Sequence, residues 1–362
     1  MKLGRNISLA SMSLLLMLLT ACTSIGPPSV ARDRFDYTTA VADSWKRQML
    51  LNIVKIRYGD APIFLDVASI INQYQLTTDL NASFGWQFPF GPGVGPSNTQ
   101  RVGVDANFVD RPTITYSPLT GEKFARNLMT PIKPSTVMSL VEGGYPMDLV
   151  FRVLLHSVNG IQNQFGGSAR MRKADPEFYT ILEKLRTIQS SGAVALRVKK
   201  AEERDALMMV FRKRVDPEMA NLGKEVRRII GLKEDGAEFR VVYGSAPVND
   251  EEVALLTRSI IEILSDISST IEVPAEHVTD QRVLPTMEAE GEGIKGPMIR
   301  IRYSKEKPTD YFASVPYRDG WFWIDDRDYR SKKLFSFLMF VMTLTETGGK
   351  EGAPIVTIGA GG

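Results

Sequence analysis

Two stretches of strict alternation flank a loop rich in glycine and proline, and this pattern restricts the fold more than any other in the chain. From Thr78 to Phe90, the apolar residues Leu80, Ala82, Phe84, Trp86, Phe88 and Phe90 alternate with Asp79, Asn81, Ser83, Gly85 and Gln87. The loop GPGVGPSN follows at 91–98, and alternation resumes with Val102, Val104, Ala106 and Phe108 against Arg101, Gly103, Asp105 and Asn107. Period two on both sides of such a loop predicts a β-hairpin over 78–108, apolar on one face and polar on the other. Three uses of that face stay open. It can lie on the protein's own core, as in most half-buried hairpins. It can face lipid, since membrane strands run about 9–11 residues and carry aromatic belts of the kind Trp86, Phe88 and Phe90 would supply. Or it can dock a partner protein through Leu80, Phe84, Trp86, Phe88, Val102, Val104 and Phe108.

The N-terminus reads MKLGRNISLASMSLLLMLLTAC. Lys2 and Arg5 give a positive start, Leu14 to Leu19 an apolar run, and Leu19-Thr20-Ala21 a small-residue end before Cys22. This is the layout of a secretory signal over residues 1–21, too short for a membrane-spanning helix of about 20 apolar residues. Leu19-Thr20-Ala21-Cys22 resembles the lipobox of bacterial lipoprotein precursors. The resemblance implies a diacylglyceryl group on Cys22, cleavage before it and acylation of the new amino terminus. Several acyl chains on one residue satisfy the requirement for firm anchoring, which a single chain does not meet. Thr23 stands where enteric lipoproteins retained in the inner membrane carry Asp, so the same resemblance points to the outer membrane, facing the periplasm.

Charge and cysteine content narrow the function classes. The signal removes Lys2 and Arg5 and no acid from 44 basic and 42 acidic residues, so the mature chain is balanced at 42 of each. A nucleic-acid partner, which wants a clustered basic face, is not expected. Cys22 is the single cysteine, so an exported mature chain has no disulfide and must rely on packing. With 43% hydrophobic residues it can build a core.

Along the chain, 22–33 reads as a lipidated tether held extended by Pro27 and Pro28. A helix over about 36–58 places Tyr37, Val41, Trp45, Met49, Ile53 and Ile56 on one face and stops at Gly59. The segments Asp33 to Ile70 and PTITYSPLTGEKF at 112–124 resemble a family of proteobacterial lipoproteins of unknown activity. That resemblance implies no site residues. Short helices broken at Pro131, Pro134 and Pro146 fill 121–165, and 166–175 reads as a linker. The second half alternates: helix 176–190, strand 193–199, helix 217–230, strand 238–243, then a long helix 250–272. Asn249 and Glu252 suggest a capping box for that helix, and Val253, Leu256, Ile260, Ile263, Ile267 and Ile271 its buried stripe. After a loop over 280–297 come strands 297–303, 311–317 and 320–324. A helix from about 327, apolar all round between Leu334 and Met342, and a strand at 354–358 complete the chain. The expected fold class is α+β, with mixed helices and antiparallel sheet. The expected domains are 34–165, a helix plus the hairpin, and 176–358.

Candidate chemistry is sparse. The two histidines, His156 and His277, fall in different expected domains, and neither has a second histidine at metal spacing. His156 is expected on a helix beside Leu154 and Leu155. No G-x-S-x-G elbow occurs, and Ser304-x-x-Lys307 precedes Pro308 instead of opening a helix. Gly291-x-Gly293 and Lys295-Gly296 lack the ending of a phosphate loop. Asp325, Asp326 and Asp328 could hold a hard cation or serve as acid and base. They better suit the start of a helix, where carboxylates accept unpaired N–H groups and Arg327, Arg330, Lys332 and Lys333 lie close enough to neutralise the remaining charge.

The residues thus support a lipid-anchored envelope lipoprotein without catalytic residues or a cofactor, acting structurally or through an envelope protein partner. An alternative is a subunit of an oligomeric outer-membrane pore or secretion channel. Two strands cannot close a barrel, so each copy in a homo-oligomer would donate its hairpin. Lipoprotein pore-formers of the curli-secretion kind use that logic, without resembling this sequence. A hydrolase of envelope polymer, working through carboxylates near Asp325, is a further alternative.

Overall fold

The computed structural model describes residues 26–71, 74–86, 98–110, 113–167, 171–199, 206–212, 214–288, 291, 293–345 and 356–359. Cys22, Phe88 and Phe90 lie outside them. The fold is α+β, as the sequence predicts. It divides into two compact units that do not follow the order 34–165 then 176–358. One comprises Met1–Tyr58 with Ile267–Met339, and the other Gly59–Asp266 with Phe340–Gly362.

In the first unit, helix α1 (Gly26–Arg57) begins ten residues before Asp36, the expected start. The extended tether is therefore corrected from Gly26 onward. Pro27 and Pro28 sit in the first helical turn, where the missing N–H of proline has no intrahelical partner to lose. Of the predicted stripe, Tyr37, Val41, Trp45 and Ile56 are half-buried, while Met49 and Ile53 are buried, joined by Leu50 and Val54. Each such side chain contributes about 1.5–3 kcal/mol. Gly59 ends the helix at φ +76°, a conformation costly for any residue with a Cβ. α1 packs on a three-stranded sheet of later strands, whose order places the third between the other two once they are defined: Arg302–Ser304, Tyr311–Tyr317 and Gly320–Asp325. The expected strand 297–303 is thus reduced to its end. Ile299 and Ile301 are buried without joining a ladder among the described residues.

The second unit opens with β1 (Phe64–Ile71), β2 (Tyr74–Trp86), β3 (Asn98–Asp110) and β4 (Thr113–Leu119). Short helices α2 (Glu122–Met129), α3 (Pro134–Glu142) and α4 (Met147–Leu154) follow, separated at the predicted prolines. Next come β5 (Leu155–Val158), β6 (Ile161–Gln162), α5 (Pro176–Ser190), β7 (Val194–Lys199), β8 (Ala206–Phe211), α6 (Pro217–Ile229), β9 (Glu238–Tyr243) and β10 (Glu252–Thr257). Strands β5 to β10 form one sheet in the order β6-β5-β10-β9-β8-β7, antiparallel except where β10 runs parallel to β9.

The long helix expected over 250–272 is not one helix. Its first half is β10, and only α7 (Ile260–Ser269) is helical. The reason is burial on both faces. Val253, Ala254 and Leu255 lie between β9 and β5 with no exposure, so a continuous apolar run takes a central strand position. Asn249 and Glu252 close a turn instead of capping a helix. Asn249 Oδ1 accepts from the Glu251 N–H at 2.9 Å, and Glu252 Oε2 from the Val248 N–H at 3.1 Å. The capping box is Ser259 with Glu262: Glu262 Oε2 accepts from both the N–H and the hydroxyl of Ser259 at 2.8 Å.

The remaining elements are α8 (Ala275–Thr279), β11 (Arg302–Ser304), β12 (Tyr311–Tyr317), β13 (Gly320–Asp325), α9 (Tyr329–Thr345) and β14 (Val356–Gly359). α9 buries Leu334, Phe335, Phe337, Leu338, Val341 and Met342, while Phe340 stays 41% exposed. Among the described residues, no helix is long and apolar enough to cross a membrane.

Candidate functional site

The predicted hairpin is present and longer than its alternation suggested. β2 and β3 pair antiparallel along 13 residues each, from Tyr74↔Asp110 to Trp86↔Asn98. β1 and β4 pair antiparallel from Phe64↔Leu119 to Ile71↔Thr113. From Ile71↔Thr113 to Tyr74↔Asp110 is three residues along each arm, so a single register runs through both ladders. One irregularity interrupts it, between Val67 and Ser69. β14 adds to β4, making the base a three-stranded sheet in the order β1-β4-β14. The β2–β3 portion is a sheet of two strands only, among the described residues.

The register shows which residues share a face. Leu76↔Phe108, Leu80↔Val104 and Ala82↔Val102 are apolar partners, and Phe84↔Gln100 and Trp86↔Asn98 continue the same face toward the loop. The apolar pairing of the arms therefore ends at Ala82↔Val102, and beyond it only the first arm is apolar. On the opposite face, Asp79 pairs with Asp105 and Ser83 with Arg101.

The acidic trio near 325 is dispersed among separate partners. Asp325 pairs with Arg302 at 3.3 Å and accepts from the Arg327 N–H at 3.0 Å. Asp326 pairs with Lys332 at 2.8 Å. Asp328 caps α9, accepting from the N–H and hydroxyl of Ser331 at 3.0 and 2.8 Å. Burial pushes its carboxyl up, but those two bonds and the charges of Arg300 and Arg302 outweigh it and leave it below its ordinary value. A cavity of about 390 Å³ beside it is lined by Arg300, Arg302, Asp325, Arg327, Asp328 and Arg330. Its rim is more cationic than anionic. The Ser304 hydroxyl donates to the Glu306 carbonyl at 2.8 Å, and the Lys307 ammonium sits 5.5 Å over the Trp321 ring.

His156 lies on β5, not on the expected helix, because the chain leaves α4 at Leu154 to pair with β10. Its Nε2 is 3.2 Å from Glu262 Oε1. The bond from His156 is the largest cause holding the Glu262 carboxyl down at about 2, with burial opposing and Ser259 assisting.

His277 has the most organised surroundings. It lies on α8, is 1% exposed, and has both ring nitrogens engaged. Nδ1 is 2.8 Å from the Tyr58 hydroxyl and Nε2 is 3.1 Å from Asp319 Oδ2. Asp319 and Arg318 are the two loop residues between Tyr317 and Gly320, the last pair of the β12–β13 ladder. Arg318 has φ +53°, a strained conformation for a residue with a side chain. Its guanidinium sits 4.8 Å over the Tyr58 ring. Burial pushes the Tyr58 phenol up to about 12, against the opposing charge of Arg318. Tyr303 is raised too, by burial first and then by the charges of Asp319 and Glu276. Sequence reading missed this cluster, because Tyr58, His277 and Asp319 are far apart in the chain and share no motif.

Compared with known proteins, the chain matches no family model, no curated protein and no solved structure.

Proposed function

We propose that the chain is a lipid-anchored lipoprotein of the bacterial envelope, held at the outer membrane through Cys22. It acts as a structural or protein-binding component, and the long hairpin is its contact element. The observation that carries this reading is the single register of β1–β2 with β3–β4, which extends a two-stranded ribbon with one apolar face beyond a three-stranded base. Two strands alone are marginal in water, so such a ribbon gains most when its apolar face is covered.

A second reading, a subunit of an oligomeric membrane pore, is favoured by arm length. Thirteen residues per arm exceed the 9–11 that cross a bilayer. In a ring of hairpins, Asp79 and Asp105 would lie at one level of the polar face.

Two measurements test these readings. Cys22→Ser should shift the protein from the membrane to the soluble fraction and remove its lipid mass; if membrane association is unchanged, the anchor is wrong. Light scattering on the chain from Thr23 onward then separates the two roles. A monomer in plain buffer sinks the pore, whereas a ring, or aggregation relieved only by detergent, favours it.

A further inference from the structure

We propose that Glu276, His277 and Asp319 form a binding site for one first-row divalent cation of the zinc type. One ligand atom from each of the three lies within 4.8 Å of the others. An imidazole nitrogen and two carboxylate oxygens are the donors zinc accepts, at about 2.0–2.2 Å, and small adjustments of the two exposed carboxylates bring them to that spacing.

Beyond the donor set, the histidine is already oriented. The Tyr58 hydroxyl at 2.8 Å from Nδ1 fixes the ring, leaving Nε2 directed at Asp319. Metal-bound histidines usually donate their other N–H to an oxygen in this manner. With Nε2 on the metal, the neutral ring carries its proton on Nδ1 and donates it to the Tyr58 hydroxyl. The carboxylate side is equally constrained. Asp319 sits in a two-residue turn whose partner, Arg318, has positive φ, and Gly320 behind it is closed over by the Tyr303 ring. Burial of His277 against exposure of Glu276 and Asp319 gives one desolvated ligand and two at the surface, so an ion can enter and water can complete its shell. The competing cation is Arg282, 3.8 Å from Asp319 and 2.8 Å from Asp280; Asp280 can retain it when the metal arrives. An imidazole ligand and only two carboxylates favour zinc over calcium or magnesium, which prefer oxygen-only shells.

The test is equilibrium binding of Zn2+, and of Co2+ followed by its visible absorption, to the full chain purified in detergent without a histidine tag. The expected result is one ion per chain, displaced neither by Ca2+ nor by Mg2+. Asp319→Asn and Glu276→Gln should each weaken binding tenfold or more, and His277→Gln should abolish it. Tyr58→Phe should weaken it about tenfold through loss of ring orientation. His156→Gln should change nothing. If His277→Gln does not fold, the two exposed carboxylate variants decide. Failure of the parent chain to bind Zn2+, or undiminished binding in the Glu276→Gln, Asp319→Asn double variant, overturns the proposal.

Discussion

The Arg258 guanidinium donates to the Asp266 carboxylate at 2.8 Å, with the two side chains 0% and 2% exposed. Asp266 also accepts from the Gly166 N–H at 2.6 Å, and Arg258 donates to the Gln164 carbonyl. The pair thus ties the C-terminal end of β10 and α7 to the segment after β6. Removing one partner leaves a charge buried without its counterion. Asp266→Asn or Arg258→Met should each lower stability to chemical denaturation by about 3–5 kcal/mol, whereas Arg258→Met with Asp266→Leu should recover much of it. Equal loss in the double variant would show that the bonds to Gln164 and Gly166, not the charge pair, are what matter.

The Glu262 carboxyl, held at about 2, makes stability depend on pH in the acid range. Its value is lower folded than the ordinary 4.5, so its contribution is complete above pH 4.5 and disappears as pH falls toward 2. The side chain is 39% exposed, and solvent screening reduces the effect to on the order of 1 kcal/mol. Denaturant midpoints of the parent and Glu262→Gln should differ at pH 6 and converge by pH 2. A constant difference would count against this account.

The register of the hairpin can be read by crosslinking. Leu80 and Val104 are direct partners. Opposite residues hold their Cβ atoms about 4.5–5.5 Å apart, within reach of the small backbone shift a disulfide needs. Leu80→Cys with Val104→Cys should crosslink under mild oxidation, and Leu80→Cys with Gly103→Cys should not, since neighbouring positions fall on opposite faces. Crosslinking of the second pair alone would shift the register by one and exchange the two faces.

Two glycines separate two kinds of cost. At Gly59 a methyl would touch nothing within 4 Å, but φ is +76°, so Gly59→Ala should cost about 1 kcal/mol through backbone strain alone. At Gly320 a methyl would come within 2.5 Å of the Tyr303 ring, and Gly320→Ala should cost about 1–3 kcal/mol through displaced packing. Thermal unfolding of Gly320→Ala with Tyr303→Ala, where the ring is gone, should show the loss largely relieved. Its persistence would place the strain in the β12–β13 turn instead.

Much of the fold was legible residue by residue because its signals are local. The alternation through Leu80 and Val104, the stripe through Met49 and Ile53, and the stop at Gly59 each depend on spacing along one element. The two places where a strand stands for an expected helix have a common cause. Val253 to Thr257 carries an apolar run compatible with either a helix or a strand, and its neighbours β9 and β5 decide between them. His156 was expected on a helix for the same reason.

The sequence by itself determined the α+β class, the hairpin and most element positions, because periodicity and turn chemistry are written in consecutive residues. The tertiary structure alone decided that α1 belongs with residues 267–339, that one register joins the two ladders, and that Asp319, His277 and Tyr58 meet. Those outcomes depend on which distant surfaces bury one another, a property no window of neighbouring residues contains.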